Sequence, residues 1–142
     1  MNWKRIVLGG LVAGLIINMS QGALHEGVLK DTWSTAMQAL GKTGEFSGGQ
    51  IAMFNIMGFM TGIALVCLYA SIRPRYGAGP KTALCAASTV WLLTYMLPTI
   101  GQIAMDLWPL GALITTVLWG LVEMIVAGLA GSWLYREQDQ AT

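Results

Sequence analysis

Few residues in this chain have side chains capable of chemistry, and Glu123 stands out among them because it sits near the middle of a hydrophobic run, residues 110–135. A carboxylate at that depth in a bilayer costs about 3 kcal/mol on insertion scales. Something must face it, solvate it or protonate it. One possibility is a protonated or hydrogen-bonded acid that ties helices together, each such bond contributing about 0.6 kcal/mol. The other is a proton or cation acceptor at the floor of a binding cavity. Asn18, Gln21, Asn55 and Gln102 are the amide side chains that would share that cavity, with Asn18 and Gln21 the expected partners of the acid.

His25 is the only histidine. With Glu26 and Asp106 it forms an expected polar group at the outer rim, where an acid would be its partner. A single imidazole also suffices as an axial ligand, so haem or chlorophyll bound through His25 stays open. The three residues make a poor zinc site, lacking a cysteine and a second histidine, and no metal is expected. Met53, Met57 and Met60 share a helix face. Thioethers can hold Cu(I), but no Cys or His is placed to join them, which favours packing. No nucleophile is paired with a base, no glycine loop is shaped for phosphate, and HExxH is absent. No catalytic residue is assigned and no enzyme activity is expected.

The elements that must position these groups are helices in lipid. The chain has 142 residues, 55% of them hydrophobic and 11% charged, against about 25% charged in a soluble domain. Mean hydropathy is +0.60. The net charge of +1 gives no support for nucleic-acid binding. Charged residues fall almost wholly outside four apolar runs, residues 6–24, 50–72, 82–105 and 110–135. Each reaches about the 20 residues that cross the hydrocarbon core, and a helix satisfies its own backbone there. A retained first helix, not a cleaved leader, is expected at 6–24. With the N-terminus cytoplasmic, Lys4, Arg5, Arg73, Arg75, Lys81 and Arg136 lie inside and only Lys30 and Lys42 outside. That bias places both termini in the cytoplasm. Trp3, Trp108, Trp133 and Tyr135 sit near run ends, where such rings favour the headgroup layer. Cys67 and Cys85 are expected as free thiols on the reducing side.

Spacing then assigns faces. In the first helix Gly10, Gly14, Asn18, Gln21 and His25 form one stripe. Gly10 with Gly14, and Gly58 with Gly62 in the second helix, are close-approach pairs. In the third, Ala83, Ala87, Thr94, Pro98 and Gln102 share a stripe, and Pro98 is expected to kink it. In the fourth, Ala112, Thr116, Gly120, Glu123, Ala127 and Ala130 gather opposite Ile114, Leu118, Leu121, Ile125 and Leu129, so Glu123 should point inward. Residues 31–41 predict a short helix capped by Asp31 or Thr32 and stopped by Gly41. It would lie in the outer interface, with Trp33 dipping into lipid. Arg73-Pro74-Arg75 is expected to end the second helix.

Gly22-Ala-Leu, the following Trp33, Ala36-Met37 and Ala39-Leu40-Gly41 segment, and three further hydrophobic runs resemble a family of small bacterial integral membrane proteins, a domain of unknown function. The resemblance implies a four-helix fold and no activity. The chain departs from it at His25-Glu26, where members carry an aromatic pair.

The expectation is therefore an all-α polytopic protein of the bacterial inner membrane. Residues 1–142 would form one antiparallel four-helix bundle with an outer interfacial helix. A non-catalytic packing or accessory subunit, as a homodimer or part of a larger membrane complex, is the first functional expectation. A carrier or binding protein for a proton or small solute, and a pigment- or haem-binding subunit, are the alternatives.

Overall fold

The computed structural model describes residues 1–135. Arg136, counted above among the inner basic residues, and the polar tail to Thr142 lie outside the described residues. Every regular element among them is helical: α1 Trp3–Val28, α2 Lys30–Ala39, α3 Gly48–Tyr76, α4 Pro80–Ala104 and α5 Leu110–Leu134. All but α2 are long and apolar enough to cross a membrane.

The helix limits follow local chemistry. Asn2 caps α1 by accepting from the Arg5 amide at 3.2 Å, so Lys4 and Arg5 are already helical. The far end of α1 runs past residue 24 through a π-helical turn, Ala23–Val28, which keeps His25 and Glu26 on the helix. Ser47 and Gln50 form a capping box that opens α3. Pro74 does not end that helix, contrary to expectation. It lies within the last turn, and Gly77 at φ 86° makes the stop. Pro80 opens α4 as its first residue. For α2, neither Asp31 nor Thr32 is the cap. The cap position is Leu29, without a side-chain bond, and Asp31 falls in the first turn. Gly41, at φ 72°, follows α2 as the left-handed residue expected there.

Trp33 also differs from expectation. Its ring does not turn outward. It packs beside Leu24, Leu29 and Ala112 and meets the rings of His25 and Trp108. An indole beside two aromatic partners buries more area than one lying alone on a surface helix. Tyr135 is buried too, edge-on to Tyr69, with Arg73 over its ring. Trp3 and Trp133 remain exposed. Cys67 and Cys85 are free thiols.

The core is built by close approach. α1 packs along α3 and along α5, and α5 also packs on α4. A Cβ built on Gly10 would stand 2.5 Å from Ile63 Cα, and one on Gly14 2.7 Å from Phe59 Cα. One on Gly62 would overlap the Gly14 amide and the Gly10 carbonyl. The two glycine pairs thus face each other within one chain. Gly9 and Gly131 make the matching approach between α1 and α5. Between these helices lie small residues, Ala13, Ala83, Ala86, Ala87 and Ala127, with Leu65 and Met124 filling the larger gaps. The face assignment of α5 holds in part: Ala112, Gly120, Glu123 and Ala127 are buried and Ile114, Leu118 and Leu129 exposed, but Thr116 and Ala130 on the one side and Leu121 and Ile125 on the other are all half-buried.

The stripe on α4 does not run straight. Ala83 and Ala87 are buried as expected, but Thr94 and Pro98 are exposed. The cause is a second π-helical turn, Leu92–Met96. Pro98 cannot donate to the carbonyl four residues back, and its ring crowds that carbonyl. The wider turn closes instead by a bond from the Leu97 amide to the Leu92 carbonyl. One extra residue in the turn rotates everything beyond it. The buried face therefore steps from Val90 to Tyr95, five residues on, where an α-helix would present Thr94, and continues to Thr99 and Gln102.

Candidate functional site

Glu123 is 4% exposed and meets side chains from two other helices. From α4, the Tyr95 hydroxyl donates to Oε1 at 2.7 Å. From α1, Gln21 Nε2 donates at 3.0 Å to Oε1 and 2.9 Å to Oε2. The same nitrogen lies 2.7 Å from the Tyr95 oxygen, which accepts from it. One residue before Gln21, the Ser20 oxygen accepts from Trp119 Nε1 at 2.8 Å.

The network continues along α1. Gln21 turns its nitrogen to the acid, so its carbonyl oxygen faces the other way, 3.0 Å from His25 Nε2. A carbonyl oxygen can only accept, so Nε2 of His25 carries the proton. His25 then rests against Trp33, ring centroids 5.8 Å apart. One chain of contacts thus runs Tyr95, Glu123, Gln21, His25, Trp33.

Local folding explains how the groups arrive. The π turn in α4 brings Tyr95 round to the face of α5. Gly120, one helical turn before Glu123, leaves the space its ring occupies. A Cβ on Gly120 would stand 2.8 Å from Tyr95 Cδ1 and Cγ. Gly120→Val is accordingly expected to push that ring off the acid and destabilise the protein by about 1–3 kcal/mol, the usual cost of overpacking. The thermal midpoint should fall, and the valine should cost far less when it is introduced into a Tyr95→Ala background. The same cost in that background would mean that the valine strikes something else.

Of the amides expected beside the acid, the structure brings only Gln21 there. Asn18 donates instead to the Asn55 carbonyl at 3.1 Å, and a Cβ on Gly58 would overlap its amide. It lies three residues before Gln21, about 60° round the helix, and so faces α3 while Gln21 faces α5. The Asn55 side chain is exposed and bonds back to the Ile51 carbonyl at 2.8 Å. Gln102 is half-buried but lies seven residues beyond Tyr95, about 10 Å along the helix. It makes none of the carboxyl's hydrogen bonds.

The rim group does not assemble either. Glu26 pairs with Lys30 at 3.5 Å, both exposed. Asp106 is exposed in a left-handed turn at φ 50°. The hydrogen-bond partner of His25 is Gln21, not an acid. Met53, Met57 and Met60 all point outward from α3. A cleft of about 590 Å³ lies between Tyr69, Arg73, Pro80 and Trp133, towards the other end of the molecule. A second, of about 340 Å³, lies between Ala36, Asp106 and Trp108. Neither is lined by Glu123 or the four amides, so the carboxyl is enclosed by its partners and does not open onto either cleft.

Spacing alone missed Tyr95, Ser20 and Trp119. Pro98 beyond Tyr95 and the gap left by Gly120 were the available signals. No family model, curated protein or solved structure matches the chain, so the site stands on its own geometry.

Proposed function

We propose that the protein is a non-catalytic, multi-pass membrane protein whose working centre is the Glu123 carboxyl, exchanging a proton or a small solute with the outer side. In this reading the four long helices form an antiparallel bundle in a bacterial inner membrane, with both termini cytoplasmic. α2 lies in the outer interface. The residue pairs Asn2–Tyr135, Gly9–Gly131 and Gln21–Glu123 support opposed directions for α1 and α5. The uneven distribution of Lys and Arg supports the orientation.

One observation carries the functional reading. Donors from α1 and α4 converge on one buried acid; one π turn contains Tyr95 and a second begins two residues after Gln21. A tie between helices needs no departure from α-helical geometry, whereas π turns recur at functional sites. The packing-subunit reading has its own support in the enclosure of the acid. The glycine stripes no longer argue for a partner, since they are used within the chain. What favours a second copy is volume, because four helices enclose little space for a path. The pigment reading is the least supported, because Nε2 of His25 is engaged by Gln21. An absorption spectrum of the purified protein tests it.

Dicyclohexylcarbodiimide, an apolar reagent that adds to protonated carboxyls, separates the first two. In intact membranes it is expected to modify Glu123, as read by mass spectrometry of the peptide, and Glu123→Gln should remove the adduct. Modification only after unfolding would overturn the exchanging-acid reading and leave the packing one.

A further inference from the structure

We propose that the Glu123 site takes a small primary ammonium group, and that the Gln21 carboxamide occupies its place when the site is empty. This rests on the reading of Glu123 as an exchanging group and names the chemistry of its ligand.

The argument starts from one nitrogen. Gln21 Nε2 has three oxygens around it: Glu123 Oε1 at 3.0 Å, Glu123 Oε2 at 2.9 Å and Tyr95 Oη at 2.7 Å. A carboxamide nitrogen carries two hydrogens, so three acceptors share two donors. A primary ammonium carries three hydrogens and a full charge. Placed at the same point it would give each oxygen its own donor, and the bonds to the carboxylate would become charge-assisted.

Charge points the same way. Tyr95 and Gln21, the carboxyl's hydrogen-bond donors, are both neutral. The ion pair of Glu26 with Lys30 lies on the surface, away from this site. A buried carboxylate is stable when paired with a cation, and an entering ammonium supplies that charge. The rings nearby suit the ligand's short alkyl part. Tyr95 sits in the notch left by Gly120, and Trp119 is fixed through Ser20.

Gln21 is half-buried, and its carbonyl oxygen is held by His25. Entry of an ammonium group requires the amide to withdraw from the acid toward His25.

Calorimetric titration of the purified protein in detergent micelles tests the proposal, with propylammonium, tetramethylammonium and sodium chlorides at matched ionic strength. Propylammonium is expected to give a saturable heat. Tetramethylammonium, which has the charge but no N–H, and sodium are not. Gln21→Ala should bind propylammonium about tenfold more tightly, because the competing amide is gone. Tyr95→Phe, which removes one of the three acceptors and leaves the acid, should weaken binding about tenfold. Glu123→Gln should abolish it. Absence of a saturable propylammonium heat in both wild type and Gln21→Ala overturns the proposal. So does equal binding of tetramethylammonium or sodium, or binding unaffected by both Glu123→Gln and Tyr95→Phe. If the carbodiimide adduct forms while propylammonium fails to bind, the exchanging-acid reading stands with a different ligand. If the adduct also fails to form, that reading falls as well.

Discussion

Glu123→Ala is expected to cost about 2–4 kcal/mol of stability. The estimate has two parts. Interhelical hydrogen bonds in membrane proteins contribute about 0.6 kcal/mol each on average and at most about 1.7, and Glu123 holds contacts to Tyr95 and, through both oxygens, to Gln21. Truncation also leaves the Tyr95 hydroxyl proton without its acceptor and Gln21 with only the Tyr95 oxygen to donate to, which costs more than the bonds contributed. Glu123→Gln should cost less, because a carboxamide keeps an acceptor for Tyr95. Equilibrium unfolding in mixed micelles reads both. An alanine variant as stable as wild type would show that the carboxyl holds nothing together.

The second large effect lies in the glycine seam. Gly62→Ile should destabilise by about 3 kcal/mol, at the upper end of the usual overpacking range. The new side chain would overlap backbone atoms of Gly14 and Gly10, which no rotamer change can relieve. α1 would have to move off α3, taking Asn18 and Gln21 with it. Gly22→Ala, where a Cβ meets open space, is the matching control and should be nearly neutral. The same unfolding titration should therefore separate the two variants clearly. Equal stability would mean that α1 and α3 do not make this approach.

Much of the architecture was legible in the sequence because lipid imposes a simple rule. Long apolar runs must be helices, and their small-residue faces must meet other helices. That logic placed Glu123 inward, beside Gly120 and Ala127, and set Gln21 as its partner. It failed where the helical period changes. Thr94 and Pro98 were placed on the buried stripe of α4 by counting in threes and fours. The π turn before Pro98 makes that count wrong by one and delivers Tyr95 in place of Thr94. Asn18 failed for another reason. It lies about 60° round α1 from Gln21, and it bonds the Asn55 carbonyl on α3 while Gln21 reaches Glu123 on α5. The glycine pairs were recognised as close-approach surfaces, but which helix each would meet cannot be read from one helix alone.

Everything functional here depends on Tyr95 and Glu123 being in direct contact across α4 and α5. A double-mutant cycle of Tyr95→Phe and Glu123→Ala, measured by unfolding free energy, tests that contact most directly. A favourable coupling of about 0.6–1.7 kcal/mol is predicted between the two side chains. Additive single-mutant effects, with no coupling outside error, would contradict it.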